Sequence, residues 1–146
     1  ELNNKMQQYT QYLNDLYIRE RALWEIDYSP TTIEWIDADN TEESILTFIR
    51  QGARKKDFLV VVVNLVPVER QDFVIGVPYE GEYEEIFNTE MAEFGGTWQT
   101  HNPIRVTKEK ETKTFGYQIK TVVPASGVLY LRPKNIQIKR GLASKK

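Results

Sequence analysis

The sequence of 146 residues predicts a mainly β fold, an antiparallel β-sandwich preceded by one amphipathic α-helix. The first observation behind this is a helical spacing of apolar residues that is confined to the N-terminal segment. The second is a series of short segments rich in β-branched and aromatic residues, which begins after Pro30. The third is that glycine and proline separate these segments at regular intervals. Short strands with regular turns are typical of an antiparallel sandwich.

The N-terminal segment has the pattern of an amphipathic helix, because apolar residues recur at steps of four and three. No Pro or Gly interrupts residues 1–27, and Ser29-Pro30 ends the helical region. A second short helical turn is predicted over residues 21–26, with Trp24 on its core side. The residues expected on the apolar face of the first helix are Leu2, Met6, Tyr9, Leu13, Leu16 and Tyr17.

The rest of the chain predicts about seven strands. The segment 58–66 is nearly continuous Val and Leu, which indicates a strand that is buried on both faces or lies in the centre of a sandwich. A turn is predicted at residues 37–40, between the first two strands. The predicted strands cover residues 33–37, 44–51, 58–66, 72–77, 83–88, 117–123 and 127–131.

The composition excludes several classes of function. The chain has no cysteine, which excludes disulfides, thiol catalysis and thiolate metal sites and fits a cytoplasmic protein. No apolar run is long enough to span a membrane. The net charge of −2 gives no electrostatic reason to expect a nucleic acid partner.

The charge is distributed unevenly along the chain. Residues 134–146 hold five basic residues and no acid, whereas residues 1–133 hold 14 basic and 21 acidic residues, a net charge of −7. A basic tail on an acidic body could bind anions. The interpretation as a solvated terminus is favoured, because a charged end of this kind is usually exposed to solvent.

The sequence contains no recognisable catalytic motif. The one histidine, His101, lies in a polar loop, where a surface position is expected, and no serine has a G-x-S-x-G context. Asp37, Asp39 and Thr41 match the first ligands of a calcium loop, but the Gly and Glu that such a loop needs at its sixth and twelfth positions are absent. We therefore expect no catalytic residue, no metal and no cofactor.

Aromatic side chains are the remaining candidates, because a flat ring with a polar edge can stack on a sugar. Trp35 lies in a short strand that enters a polar loop, where a core position and a glucan contact are almost equally expected. Trp98 lies in a polar loop next to two glycines, where structural packing is favoured but exposure stays open. The glucan-binding candidates are therefore Trp35 and Trp98.

Several segments, in their order and spacing, resemble the C-terminal part of bacterial glycogen branching enzymes. The resemblance extends to about residue 133. The sequence departs from the family at Thr32-Ile33, at residues 64–67, at Thr97-Trp98-Gln99 and at Pro124-Ala125. The basic tail matches nothing in the family. The segments that carry the resemblance are YLNDLY (12–17), LWEID (23–27), IEWIDAD (33–39), SILTFIR (44–50), VVVNLVPV (61–68), EIFNT (85–89) and VLYLRP (128–133).

The resemblance implies a division of the chain. Residues 1–29 would be the final helix of a catalytic barrel and its junction, residues 30–133 an all-β C-terminal domain, and residues 134–146 a basic tail. The whole enzyme would cleave an α-1,4-glucan and rejoin the segment through an α-1,6 bond, using two carboxylates of a (β/α)8 barrel. Those carboxylates would lie upstream, so this chain would carry no catalytic residue.

The resemblance also implies the partners, which would be the catalytic barrel of the same polypeptide and an α-glucan, with Trp35 as a surface glucan contact. Two alternatives stay open, a free carbohydrate-binding module and a purely structural domain of another α-amylase-family enzyme. Some self-association is expected, because the apolar face of the helix would lack its barrel.

Overall fold

The computed structural model describes residues 1–99, 101–109 and 115–139. One α-helix, α1 (Leu2–Arg19), precedes the strands, and three short 3-10 helices cover Arg21–Leu23, Pro30–Thr32 and Ala92–Phe94. The strands are β1 (Ile33–Asp37), β2 (Ile45–Gln51), β3 (Phe58–Asn64), β4 (Arg70–Val77), β5 (Glu80–Asn88), β6 (Arg105–Val106), β7 (Lys108–Glu109), β8 (Tyr117–Val123) and β9 (Val128–Gln137). The predicted class, a mainly β chain behind one helix, is confirmed.

The strands form two antiparallel sheets. The larger sheet has the order β1-β2-β3-β9-β5-β6, and the smaller has the order β4-β8-β7. The two sheets pack against each other through one buried apolar cluster, so that β3 and β9 of the larger sheet face β4 and β8 of the smaller one. This cluster comprises Ile45, Ile49, Phe58, Val60, Val62, Phe73, Ile75, Val77, Tyr83, Ile119, Val123, Leu129 and Leu131.

The outer face of the larger sheet holds a second apolar cluster. Leu59 and Val61 of β3 lie there with Ala22, and Phe48 and Tyr130 pack around them. The sandwich core takes one face of β3 and this second cluster takes the other. The nearly continuous apolar sequence of β3 is thereby explained, because a strand covered on both faces has no solvent-facing positions.

Helix α1 lies over part of this outer face. Tyr9 and Tyr12 contact Phe87 with ring centroids 5.9 Å apart, and both also contact Phe94. The Tyr12 hydroxyl donates a hydrogen bond to the Ile86 carbonyl. Leu16 is the fully buried residue of the helix. The helix is thus anchored to β5 and to the 3-10 helix that follows it.

The buried face of α1 is rotated relative to the predicted one. Tyr9, Leu13 and Leu16 are at least partly buried as expected, and Tyr12 joins them. Leu2, Met6 and Tyr17, which were expected on the same face, are exposed. The apolar arc of the helix is wider than the area of sheet that covers it, so one edge of the arc faces solvent.

The junction between α1 and β1 is held to the sheet by Arg50 of β2. Its guanidinium donates hydrogen bonds to the carbonyls of Ala22 (3.2 Å) and Leu23 (3.1 Å) and contacts the Asp27 carboxylate. Arg50 thus satisfies two carbonyls at the end of a short helix and ties the junction to β2. The predicted turn at residues 37–40 is also present, with the Asp39 amide donating to the Asp37 side chain (3.1 Å).

Strand β9 extends to Gln137, so the first four residues of the predicted tail, 134–137, belong to the strand. It contains Pro133, which has no N–H group for the sheet. Pro133 pairs with Tyr83, next to a register shift between Glu82 and Tyr83 of β5. A bulge beside the proline lets β9 continue, since the strand does not need a ladder hydrogen bond from Pro133.

Candidate docking groove and exposed aromatic residues

The part of the outer face that α1 leaves open is an apolar groove. It has a volume of about 500 Å³ and runs between α1 and strands β1 and β2. Its polar residues are Asn14 and Arg50, and Arg50 is already bonded to the junction. The apolar side chains that line it are Leu13, Leu16, Tyr17, Leu23, Ile33, Phe48, Val61 and Tyr130.

Exposed apolar side chains extend the groove along the helix. Met6 is 63% exposed and Tyr17 is 51% exposed, although both lie on the apolar arc of α1. Leu2 continues the same stripe towards the N-terminus of the helix. Isolated apolar residues on a surface need no explanation, but a stripe beside an apolar groove is typical of a surface that binds another protein segment.

Trp35 lies on β1, at the edge of the larger sheet and beside the groove. It pairs with Phe48 of β2, and the two rings meet edge to face with centroids 5.4 Å apart. The indole is 52% exposed, so one part is fixed by packing and the other part faces solvent. An aromatic ring held in this way can offer a flat surface to a ligand at little cost in side-chain entropy.

Trp98 is fixed differently. Its backbone N–H donates a hydrogen bond to the Glu90 carbonyl (2.8 Å), and its backbone carbonyl accepts one from the Ala92 N–H (2.7 Å). The side chain is half-buried. Trp98 follows β5, which is separated from β1 by three strands in the larger sheet. Trp35 and Trp98 therefore lie on different elements of the fold.

The core position expected for Trp24 is wrong. The side chain is 42% exposed, and its indole N–H donates to the Ile18 carbonyl at 3.3 Å. Tyr28, a few residues along the junction, is almost fully exposed. The helical pattern of residues 21–26 stops at Leu23 in the structure, so periodicity could not place Trp24 correctly.

His101 is partly exposed, as expected for a loop histidine, but it has a structural partner. Its Nδ1 lies 3.0 Å from the carboxylate of Glu85, a side chain with no exposed surface. The Asn102 N–H donates to the same carboxylate at 2.8 Å. These contacts hold the loop after Trp98 against β5, because a buried carboxylate needs such partners.

Further observations concern the described part of the chain. Among those residues, no three His, Cys, Asp or Glu side chains are grouped so that they could hold a metal ion. No helix there is both long and apolar enough to cross a membrane. Burial raises the pKa of the Tyr83 and Tyr130 phenols, but Tyr83 belongs to the sandwich core and Tyr130 to the wall of the groove.

Comparison with known proteins finds one family and a consistent set of relatives. The 1,4-alpha-glucan branching enzyme GlgB of Lactobacillus acidophilus is 41% identical over 145 residues, which are 99% of this chain and 23% of that protein. The protein of the same name from Lactiplantibacillus plantarum is 42% identical, over 93% of this chain and 22% of its own length. The protein of the same name from Clostridium perfringens is 42% identical, over 92% of this chain and 20% of its own length.

The chain spans about a fifth of the length of these relatives. Residues 35–134 match the family described as alpha amylase, C-terminal all-beta domain, which agrees with the two-sheet architecture and begins at Trp35 on β1. The chain therefore belongs to the family of alpha amylase C-terminal all-beta domains.

Proposed function

We propose that this chain is the C-terminal, non-catalytic domain of a 1,4-α-glucan branching enzyme and that it packs on the catalytic barrel of the same polypeptide. In this proposal residues 1–29 are the last barrel helix and its junction, residues 30–133 the all-β domain and residues 134–146 a basic tail. The enzyme would transfer α-1,4-glucan segments to form α-1,6 branches in the cytoplasm. The relatives' names support this assignment.

The observation that carries the docking proposal is the open apolar groove beside α1. Its walls come from both the helix and the sheet, so a partner that fills it would contact both at once. The helix already buries Tyr9, Tyr12 and Leu16 against the sheet and leaves Met6 and Tyr17 on its other edge. A helix that packs on two bodies needs an apolar arc of this width.

The test is binding in trans. The L. acidophilus relative would be produced without the segment that matches this chain, and the 146-residue chain would be added to it. We expect the two proteins to form a complex. The double variant Met6→Ser with Tyr17→Ser should lower the affinity at least about tenfold, because the interface would bury less apolar area without these two side chains. Calorimetric titration measures the change.

A matched control replaces two exposed apolar residues that lie away from the groove. Leu65→Ser with Val68→Ser removes similar apolar surface from the loop between β3 and β4 and should leave the affinity unchanged. Equal losses in both double variants, or no complex with the unaltered chain, would contradict docking through the groove. The chain would then be better described as an independent module.

We also propose that Trp35 makes a surface contact with an α-glucan. The half-exposed ring, held edge to face against Phe48, supports this role. Trp98 is the second candidate and is held by backbone hydrogen bonds to Glu90 and Ala92. In this proposal each ring forms a separate contact, because Trp35 lies on β1 and Trp98 lies in the segment after β5.

Titration of the chain with maltoheptaose, followed by tryptophan fluorescence and NMR shifts, tests this contact. We expect Trp35→Ala to weaken binding about tenfold, because stacking on a sugar uses the exposed part of the ring. Trp24→Ala, which removes another half-exposed indole, is the matched control and should have no effect. No saturable binding at millimolar sugar would leave the domain with a structural role.

A further inference from the structure

A second groove, on another part of the surface, is lined by positive charge. It has a volume of about 580 Å³ and lies between the end of α1, the turn from β2 to β3, and β9. Six basic side chains from these separate elements meet there, in a chain whose first 133 residues carry a net charge of −7. They are Arg19, Arg21, Arg54, Lys56, Arg132 and Lys134.

Half of these cations are neutralised by close carboxylates. Arg132 contacts Glu20 at 2.7 Å and Glu84 at 2.6 Å, so its guanidinium is fixed between the helix end and β5. Arg54 pairs with Asp57 at 2.5 Å. Arg21 lies 3.5 Å from the carboxylate of Glu25. These pairs define the shape of the groove and contribute little net charge.

The remaining cations supply the net positive charge. Among the described residues, neither Arg19 nor Lys56 has a carboxylate within ion-pair distance, and Lys134 lies 4.0 Å from Glu84, which Arg132 already occupies. Six cations and four carboxylates leave two net positive charges in a cleft. A cleft with one sign of charge concentrates ions of the opposite sign.

The groove also includes the residue that follows β9. Ile138 lines it, and Lys139, Arg140, Lys145 and Lys146 follow in sequence. Lys139, the residue next to Ile138, adds a further positive charge close to the groove.

From these observations we infer that the groove binds a phosphate group carried on a sugar or glucan. Guanidinium and ammonium groups bind phosphate oxygens through charge-assisted hydrogen bonds. The volume is in the range of small-molecule sites and holds more than a phosphate ion alone. The sugar part rests on the proposed function, whereas the phosphate part rests on the charges alone.

The test is an NMR titration of the 146-residue chain at constant ionic strength with glucose 6-phosphate, inorganic phosphate and glucose. We expect saturable shifts of amides near residues 54–57 and 132–136 with glucose 6-phosphate and none with glucose. The double variant Lys56→Gln with Lys134→Gln should weaken binding of glucose 6-phosphate at least about tenfold, because each substitution removes a charge-assisted hydrogen bond to the phosphate in a partly enclosed cleft. Both lysines are exposed, so the variant should fold.

The matched control is Lys108→Gln with Lys120→Gln, which removes the same charge from exposed positions in the smaller sheet. Equal weakening in both double variants would mean that the ligand is attracted only by the overall charge of the chain, and it would overturn the proposed site. The absence of NMR shifts with glucose 6-phosphate would overturn it too. If inorganic phosphate binds as tightly as glucose 6-phosphate, the sugar part is wrong and the phosphate part holds. None of these variants alters the docking groove or Trp35, so the proposed function is tested separately.

Discussion

At the scale of single residues, two polar side chains show how the sandwich tolerates buried polarity. Tyr83 lies between the sheets with no exposed surface, and its hydroxyl donates to the Tyr79 carbonyl at 3.0 Å. Glu85, two residues on, is buried but accepts from His101 and from the Asn102 N–H. Each of these two buried groups has a hydrogen-bond partner in a nearby loop, so neither is buried without compensation.

The Tyr83 phenol predicts a pH dependence of stability. Burial raises its pKa in the folded chain, whereas the unfolded chain titrates near pH 10. Above about pH 10 the unfolded state therefore binds fewer protons than the folded state, and the free energy of unfolding falls by up to about 1.4 kcal/mol per pH unit. Relative to the unaltered chain, Tyr83→Phe should lower the free energy of unfolding by about 1 kcal/mol near pH 8 and by less at pH 11.

Urea unfolding between pH 8 and pH 11 measures this difference. Tyr28→Phe is the control, because that side chain is almost fully exposed, and it should follow the unaltered chain at every pH. A constant gap between Tyr83→Phe and the unaltered chain across the range would show that Tyr83 ionises as easily when folded as when unfolded.

At the scale of elements, α1 shows what periodicity can and cannot predict. The 3.6-residue pattern predicted the helix and included Leu16, its most buried residue. It could not say which part of a wide apolar arc meets the sheet, because that depends on where Phe87 and Phe94 lie, far along the chain. The continuous apolar run of β3 was more informative, since it already required cover on both faces.

Leu16 should contribute strongly to the docking of α1 on the sheet. Leu16→Ala would leave a cavity between helix and sheet and should lower the free energy of unfolding by roughly 2–5 kcal/mol. Ile18→Ala removes an exposed side chain from the same helix and should change stability by no more than about 0.5 kcal/mol. Thermal and urea unfolding of both variants give the comparison, and similar losses would mean that Leu16 is not well packed.

The candidate sites were predictable to different degrees. Trp35 was chosen from sequence, and the structure places it half-exposed at the sheet edge, but no sequence pattern indicated its contact with Phe48. The short helical pattern misplaced Trp24, because a single 3-10 turn gives too few residues to define a face. The basic groove had no local signal, since α1, a turn and β9 supply its residues and only the fold brings them together.

At the scale of the whole molecule, the exposed apolar stripe of α1 predicts self-association of the isolated chain. Met6 and Tyr17 lie beside an open groove, and a second copy can cover both in the absence of another partner. We expect the weight-average mass in sedimentation equilibrium to rise with protein concentration. Met6→Ser with Tyr17→Ser should reduce this rise, and Leu65→Ser with Val68→Ser should not. A monomer at all concentrations would mean that the stripe does not bind itself.

The position of β9 has a consequence for the order in which the chain can fold. Among the described strands it is the last in sequence, yet it lies between β3 and β5, and within that set it alone joins β1-β2-β3 to β5-β6. During synthesis on a ribosome, the earlier strands would emerge as two separate pieces with open edges until β9 follows. Closure of the larger sheet is thus a late, non-local step, and a chaperone that holds the nascent chain would protect β3 in the interval.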